Sequence, residues 1–168
     1  GPITTWELGT VNDPVAAKNF FNKYLVPYLQ IIGEVKTYSE CKPVKMYNLS
    51  GSEYTELANY AKFYMNDGTS ITGRVVQNSN TAKELLFFLD INGDKKPNKQ
   101  GKDIFQFYYT ILDPNDYWNG KFYPTGYPHT REAILNSGSH TCNKNASGAW
   151  CGALIMYDGW QIKDDYPW

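Results

Sequence analysis

Leu85-Leu86-Phe87-Phe88-Leu89 is a short unbroken apolar run held between Glu84 and Asp90. Five apolar residues are too few for a buried helix and suit a central strand covered on both faces. After the loop that begins at Asp90, Ile104-Phe105-Gln106-Phe107-Tyr108-Tyr109 has the composition of its antiparallel partner. Upstream, residues 60–65 interleave aromatic with small or charged residues. Asn66-Asp67-Gly68 then marks a turn, and residues 69–76 resume a β-type pattern. The two segments read as a hairpin. Ser79-Asn80-Thr81 is a second break before the central strand.

Further out, the pattern becomes helical. Asn12-Asp13-Pro14 is a start signal, with Asp13 as cap and Pro14 at the first helical position. Val15, Phe20, Phe21, Tyr24, Leu25, Tyr28 and Leu29 recur at three- and four-residue steps on one face. Pro27 should kink or end this helix, and Gly33 closes the segment. Residues 34–50 read as loop with one short strand. Beyond the sheet, residues 113–126 are turn-rich, with a short strand expected at 121–123. Thr130 caps a brief helix through Leu135, and residues 150–157 carry an apolar face that stops at Asp158-Gly159. The pattern predicts an α+β domain. An N-terminal helix lies on an antiparallel sheet of about four strands, and the C-terminal region is loop-rich.

The 168 residues fit one domain. Sixteen Lys and Arg nearly balance 17 Asp and Glu, so the total charge gives no indication of a nucleic-acid partner. Fourteen Tyr, eight Phe and five Trp favour short strands over a helical bundle. No apolar stretch approaches the roughly 18 residues of a membrane span. Gly1-Pro2 has the look of a residue left by tag removal, which makes residues 3–168 the domain and implies that a segment before Ile3 was cut away.

Cys142 and Cys151 enclose the polar loop Asn-Lys-Asn-Ala-Ser-Gly-Ala-Trp, a size that a disulfide closes readily. A disulfide there places the protein in an oxidising compartment, with Cys41 left as a free buried thiol. Unlinked thiols in a reducing compartment are the alternative. Zinc has no close Cys-x-x-Cys pair to bind, and His129 and His140 lack ligand spacing to the cysteines.

Three passages together carry a family resemblance. They are Asp90-Ile91-Asn92-Gly93-Asp94-Lys95-Lys96-Pro97-Asn98-Lys99-Gln100-Gly101-Lys102-Asp103-Ile104-Phe105, then Cys142 through Cys151-Gly152-Ala153-Leu154-Ile155-Met156, then Asp158-Gly159-Trp160-Gln161-Ile162-Lys163-Asp164-Asp165-Tyr166-Pro167-Trp168. They resemble the C-terminal half of proteins with a prepilin-type cleavage and methylation signal, the type IV pilins and type II secretion pseudopilins. The resemblance implies a precursor with a basic leader and a long hydrophobic helix that anchors the subunit in the inner membrane before assembly. It implies a head on the cell surface or in the periplasm. Its partners are then other pilin or pseudopilin subunits and the assembly machinery, and the head carries out no catalysis.

Asp90, Asn92, Asp94 and Asn98 stand at alternating positions, and Asp103 follows, so the loop offers the hard oxygen ligands that calcium takes. The match is partial. Lys95 stands where a calcium loop wants glycine, and Gly101 where it wants its final acid. The competing reading is a plain turn, with Asn92-Gly93 supplying left-handed geometry and the Asp side chains satisfying their own backbone.

Ser, His and Asp are all present, but no Gly-x-Ser-x-Gly elbow, phosphate loop or dinucleotide fingerprint appears. Glu53, Glu56 and Glu84 have no spacing that pairs them. The second functional reading is an adhesin-like carbohydrate- or surface-binding module, because aromatic faces stack on sugar rings. A flat patch of exposed Trp favours that reading. Burial of Trp150, Trp160 and Trp168 against the sheet favours the filament.

Overall fold

The computed structural model describes residues 6–42, 44–77, 83–110 and 117–168. Gly1-Pro2 and the Ser79-Asn80-Thr81 break lie outside the described residues, as do residues 113–116 of the turn-rich stretch.

The chain runs α1 (Pro14–Tyr24), a 3-10 turn (Val26–Tyr28), β1 (Ile31–Thr37), β2 (Met46–Tyr47), β3 (Glu53–Tyr54), β4 (Ala61–Met65), β5 (Ser70–Gln77), β6 (Lys83–Asp90), β7 (Ile104–Thr110), β8 (Phe122–Pro124), α2 (Arg131–Asn136) and α3 (Cys151–Tyr157). One antiparallel sheet has the order β1-β4-β5-β6-β7-β8, and β2 and β3 form a separate two-stranded sheet.

Strand β6 explains the apolar run. Side chains alternate across a sheet, so Leu85 and Phe87 join the cluster of Phe20, Phe21, Phe63 and Tyr109, while Leu86 and Phe88 join Tyr60, Met46 and Ile104 on the other face. Both faces are buried, and no polar alternation is left to see. Leu85 pairs with Tyr109 and Asp90 with Ile104, so the Asp90 loop is the connection between the two central strands. The β4–β5 hairpin turns where expected, with the Asp67 carboxylate accepting from the Thr69 amide at 2.9 Å and Gly68 at φ +91°.

The fold class expected from the pattern is overturned. Sheet predominates, with six strands in the main sheet in place of about four and two more beside it. The helices are short, and none forms a layer of comparable weight against the sheet. Strand β1 was hidden because Gly33, at φ +70°, sits where its register with β4 breaks between Ile32 and Lys36, and because Glu34 and Lys36 face outward. Strand β8, of three residues, is the short strand expected at 121–123, shifted by one residue. The first helix is shorter than its periodicity. Asp13 caps it through the Val15 amide, but Pro27 confines it to 11 residues, and Val15 and Tyr28 are exposed.

Candidate functional site

The three passages that carry the family resemblance converge around Gly101. In the Asp90 loop, buried Asp103 is the organiser. Its Oδ2 accepts from the Asn98 amide at 2.8 Å and from Asn92 Nδ2 at 3.2 Å, and its Oδ1 accepts from the Lys99 amide at 2.7 Å. Asp90 Oδ1 accepts from the Asn92 amide at 3.0 Å, and Asn98 Nδ2 donates to the Asp94 carbonyl at 3.3 Å. These bonds satisfy the backbone of a loop that has no ladder to do so.

The loop is then sewn to its surroundings. The Tyr47 amide donates to the Asn98 carbonyl and the Gln100 amide to the Tyr47 carbonyl, while Gln100 Nε2 reaches Asn48 Oδ1 at 2.8 Å. The Leu49 and Ser50 amides bond to the Ser147 and Ala146 carbonyls of the loop between Cys142 and Cys151. Those cysteines are joined as a disulfide, with S–S 2.06 Å. Gly101 lies against it at φ +80°, where an added Cβ would stand 2.6 Å from Cys151 Sγ, so no other residue fits without a shift. The Tyr166 hydroxyl, from the C-terminal tail, donates to the Gly101 carbonyl.

Arg131 fixes that tail. Its guanidinium takes Asp158 through Nε at 2.7 Å and Nη2 at 2.9 Å, and Asp165 through Nη1 at 2.9 Å and Nη2 at 2.8 Å. Arg131 holds both carboxyls below the usual range, with Lys163 assisting at Asp158.

Of the five residues with calcium-ligand chemistry, the fold brings Asp90, Asn92, Asn98 and Asp103 into one hydrogen-bonded group and draws Asp94 away. Asp94 Oδ1 receives Lys62 Nζ at 2.7 Å, and its Oδ2 receives the Tyr64 hydroxyl at 2.6 Å. Both Asp103 oxygens are occupied by N–H donors. Among the described residues no group of three or more His, Cys, Asp or Glu is placed to hold a metal ion. Burial pushes the Asp90 carboxyl up to about 7, and Asp103 and Asp94 add to the shift against the pull of the Asn92 amide and Lys62.

Residues 7–168 match a family described only as being of unknown function, DUF6613. The chain belongs to that family. No curated protein and no solved structure matches it.

Other sequence candidates are dispersed in this DUF6613 member. His129 stacks on Trp150 with ring centroids 4.4 Å apart, and His140 lies at 6.2 Å from the same ring. Glu53 pairs with Lys45, Glu56 with Arg74, and Glu84 accepts from the Tyr123 hydroxyl. Cys41 is free but only half-buried, which corrects the expectation of a buried thiol. Trp150 is half-buried, whereas Trp160 and Trp168 are 65% and 58% exposed. Lys62, Arg131 and Tyr166 were not singled out from the sequence, and Gly101 only as a departure from a calcium-loop pattern. One signal was available for Lys62, a lysine inside the strand pattern Ala-Lys-Phe-Tyr-Met. No described helix is long and apolar enough to cross a membrane.

Proposed function

We propose that this domain is a structural subunit of an extracytoplasmic filament of the type IV pilus or type II secretion pseudopilus kind, joined to its neighbours through a hydrophobic helix encoded ahead of it. One observation carries the reading. The passages similar to the prepilin-type group, the Asp90 loop and the C-terminal pair some forty residues further on, close on one another at Gly101, Cys151 and Tyr166. The Cys142–Cys151 disulfide supports an oxidising compartment. The acids of the loop and the tail are engaged in holding backbone, lysine, tyrosine or arginine, which suits a structural head better than a catalytic one. The reading is tested by sequencing the precursor upstream and shearing filaments from cells. The subunit is expected in the sheared fraction, dependent on an apolar N-terminal helix. A cleaved secretory signal and a freely secreted protein would contradict it.

Exposed Trp160, Ile162 and Trp168 favour a second reading, in which the tail contacts a glycan or surface. Binding of the isolated domain to a glycan array, lost in Trp160→Ala, would establish it. An array with no signal above background removes it.

A further inference from the structure

Beneath the Asp90 loop, buried polar atoms and a buried charge share one small chamber. It measures about 30 Å³ and is lined on its polar side by Tyr38, Lys45, Lys62, Ser70, Thr72, Asp90 and Asn98, with the Lys45 ammonium turned to Glu53 at 3.2 Å. Ser70 Oγ and Asn98 Oδ1 have no hydrogen-bond partner, although the residues are only 1% and 6% exposed. Buried oxygens without donors are costly, and a cation or a water held among them removes that cost.

The oxygen-rich loop sequence offers ligands for calcium there, but a cation already stands in place. Lys62 projects from the middle of β4 with its side chain 8% exposed, and its ammonium lies 2.7 Å from Asp94 Oδ1. The Tyr64 hydroxyl covers the other Asp94 oxygen, and the Tyr64 ring lies 4.9 Å from the same ammonium. An ammonium offers three donors. One is used at Asp94, which leaves two for the oxygens of the chamber or a water among them. The charged and polar groups around Asp90 come from every neighbouring element: Lys62 from β4, Ser70 and Thr72 from β5, Tyr38 and Lys45 from the segment between β1 and β2, and Asn92, Asp94 and Asp103 from the loop itself.

We propose that Lys62 is the resident cation of the Asp90 loop, standing at the Asp94 oxygen that a calcium ion would use, so that the loop folds without metal. Calcium needs six to eight oxygens at about 2.3–2.6 Å. It would have to share the Asp94 oxygen with an ammonium of like charge that burial keeps from swinging into water.

The test is thermal unfolding of the chelator-treated protein with and without about 5 mM calcium. The wild type is expected to change by less than about 1 °C, since a ligand that does not bind the folded state adds no stability. Lys62→Met leaves Asp94, which is partly in solvent, with the Tyr64 hydroxyl alone and lowers the midpoint by roughly 3 °C. Calcium then restores about half of that loss through the vacated place, and adding Asp94→Asn abolishes the rescue. A wild-type midpoint that rises by several degrees with calcium overturns the proposal, and so does a folded Lys62→Met protein indifferent to calcium. If Lys62→Met does not fold, the wild-type titration decides alone.

Discussion

Beneath α1, Phe20, Phe21, Phe63, Leu85 and Phe87 meet through apolar surface. Around Gly101, by contrast, the chain is held by a disulfide, a buried carboxylate and a tyrosine hydroxyl on one particular carbonyl. The first region depends on volume and tolerates exchange among residues of similar size. The second depends on atoms placed one by one, and each lost partner leaves a buried polar group exposed to its full desolvation cost. The two should accordingly respond to different perturbations. The aromatic core should be indifferent to redox state, and the knot around Gly101 should not.

The largest effect is expected in the aromatic core. Phe21→Ala empties the ring site that meets Phe63 at 5.2 Å and lies over Gly73, and should cost about 4 kcal/mol in denaturant unfolding, with or without reductant. Reductant-dependence of that loss would break the comparison. Next comes the disulfide. Reduction, or the paired change of Cys142 and Cys151 to Ser, should cost about 3 kcal/mol by the loop-closure argument for so short a loop.

A smaller loss sharpens the picture within the knot. Asp103→Asn keeps the size of the side chain but replaces one acceptor oxygen by a donor facing amides, and should cost about 2 kcal/mol. Asp103→Asn as stable as wild type would show that the carboxylate does not organise the loop. The smallest effect depends on pH. The Asp90 carboxyl is raised to about 7 in the fold, so the folded chain binds that proton more tightly than the unfolded one does. Stability should therefore decline as pH rises from about 4 to about 7 and then level off. Asp90→Asn should remove that slope and gain about 1 kcal/mol at pH 8, less than the full shift because the amide keeps an acceptor for Asn92 but adds a donor to be placed. An unchanged slope in Asp90→Asn would assign the titration to another group.

The contrast also accounts for what the sequence disclosed. The central strands were legible because burial on both faces leaves an unbroken run at Leu85-Leu86-Phe87-Phe88-Leu89, and the hairpin because Asn66-Asp67-Gly68 must turn. The first helix was legible at its start, where Asp13 and Pro14 are local signals, and at the break that Pro27 imposes, though the apolar period ran on past it to Leu29. Strand β1 escaped because Gly33 breaks its alternation, and with it went the strand count and the fold class. In the knot, the Cys142–Cys151 loop could be seen from its length alone. Lys62 reaching Asp94 spans 32 residues, and Tyr166 reaching Gly101 spans 65, and no local period encodes either contact. The Asp90 loop displayed its oxygens in the sequence, but not the donors that already occupy them.

The claim that the three passages form one interlocked unit is tested most directly by hydrogen exchange of the native protein before and after reduction of Cys142–Cys151. The amides of Leu49, Ser50, Asn98, Lys99 and Gln100 should lose protection together on reduction, while those of β5 and β6 keep theirs. Loop amides that exchange at the same rate in both states would contradict the account.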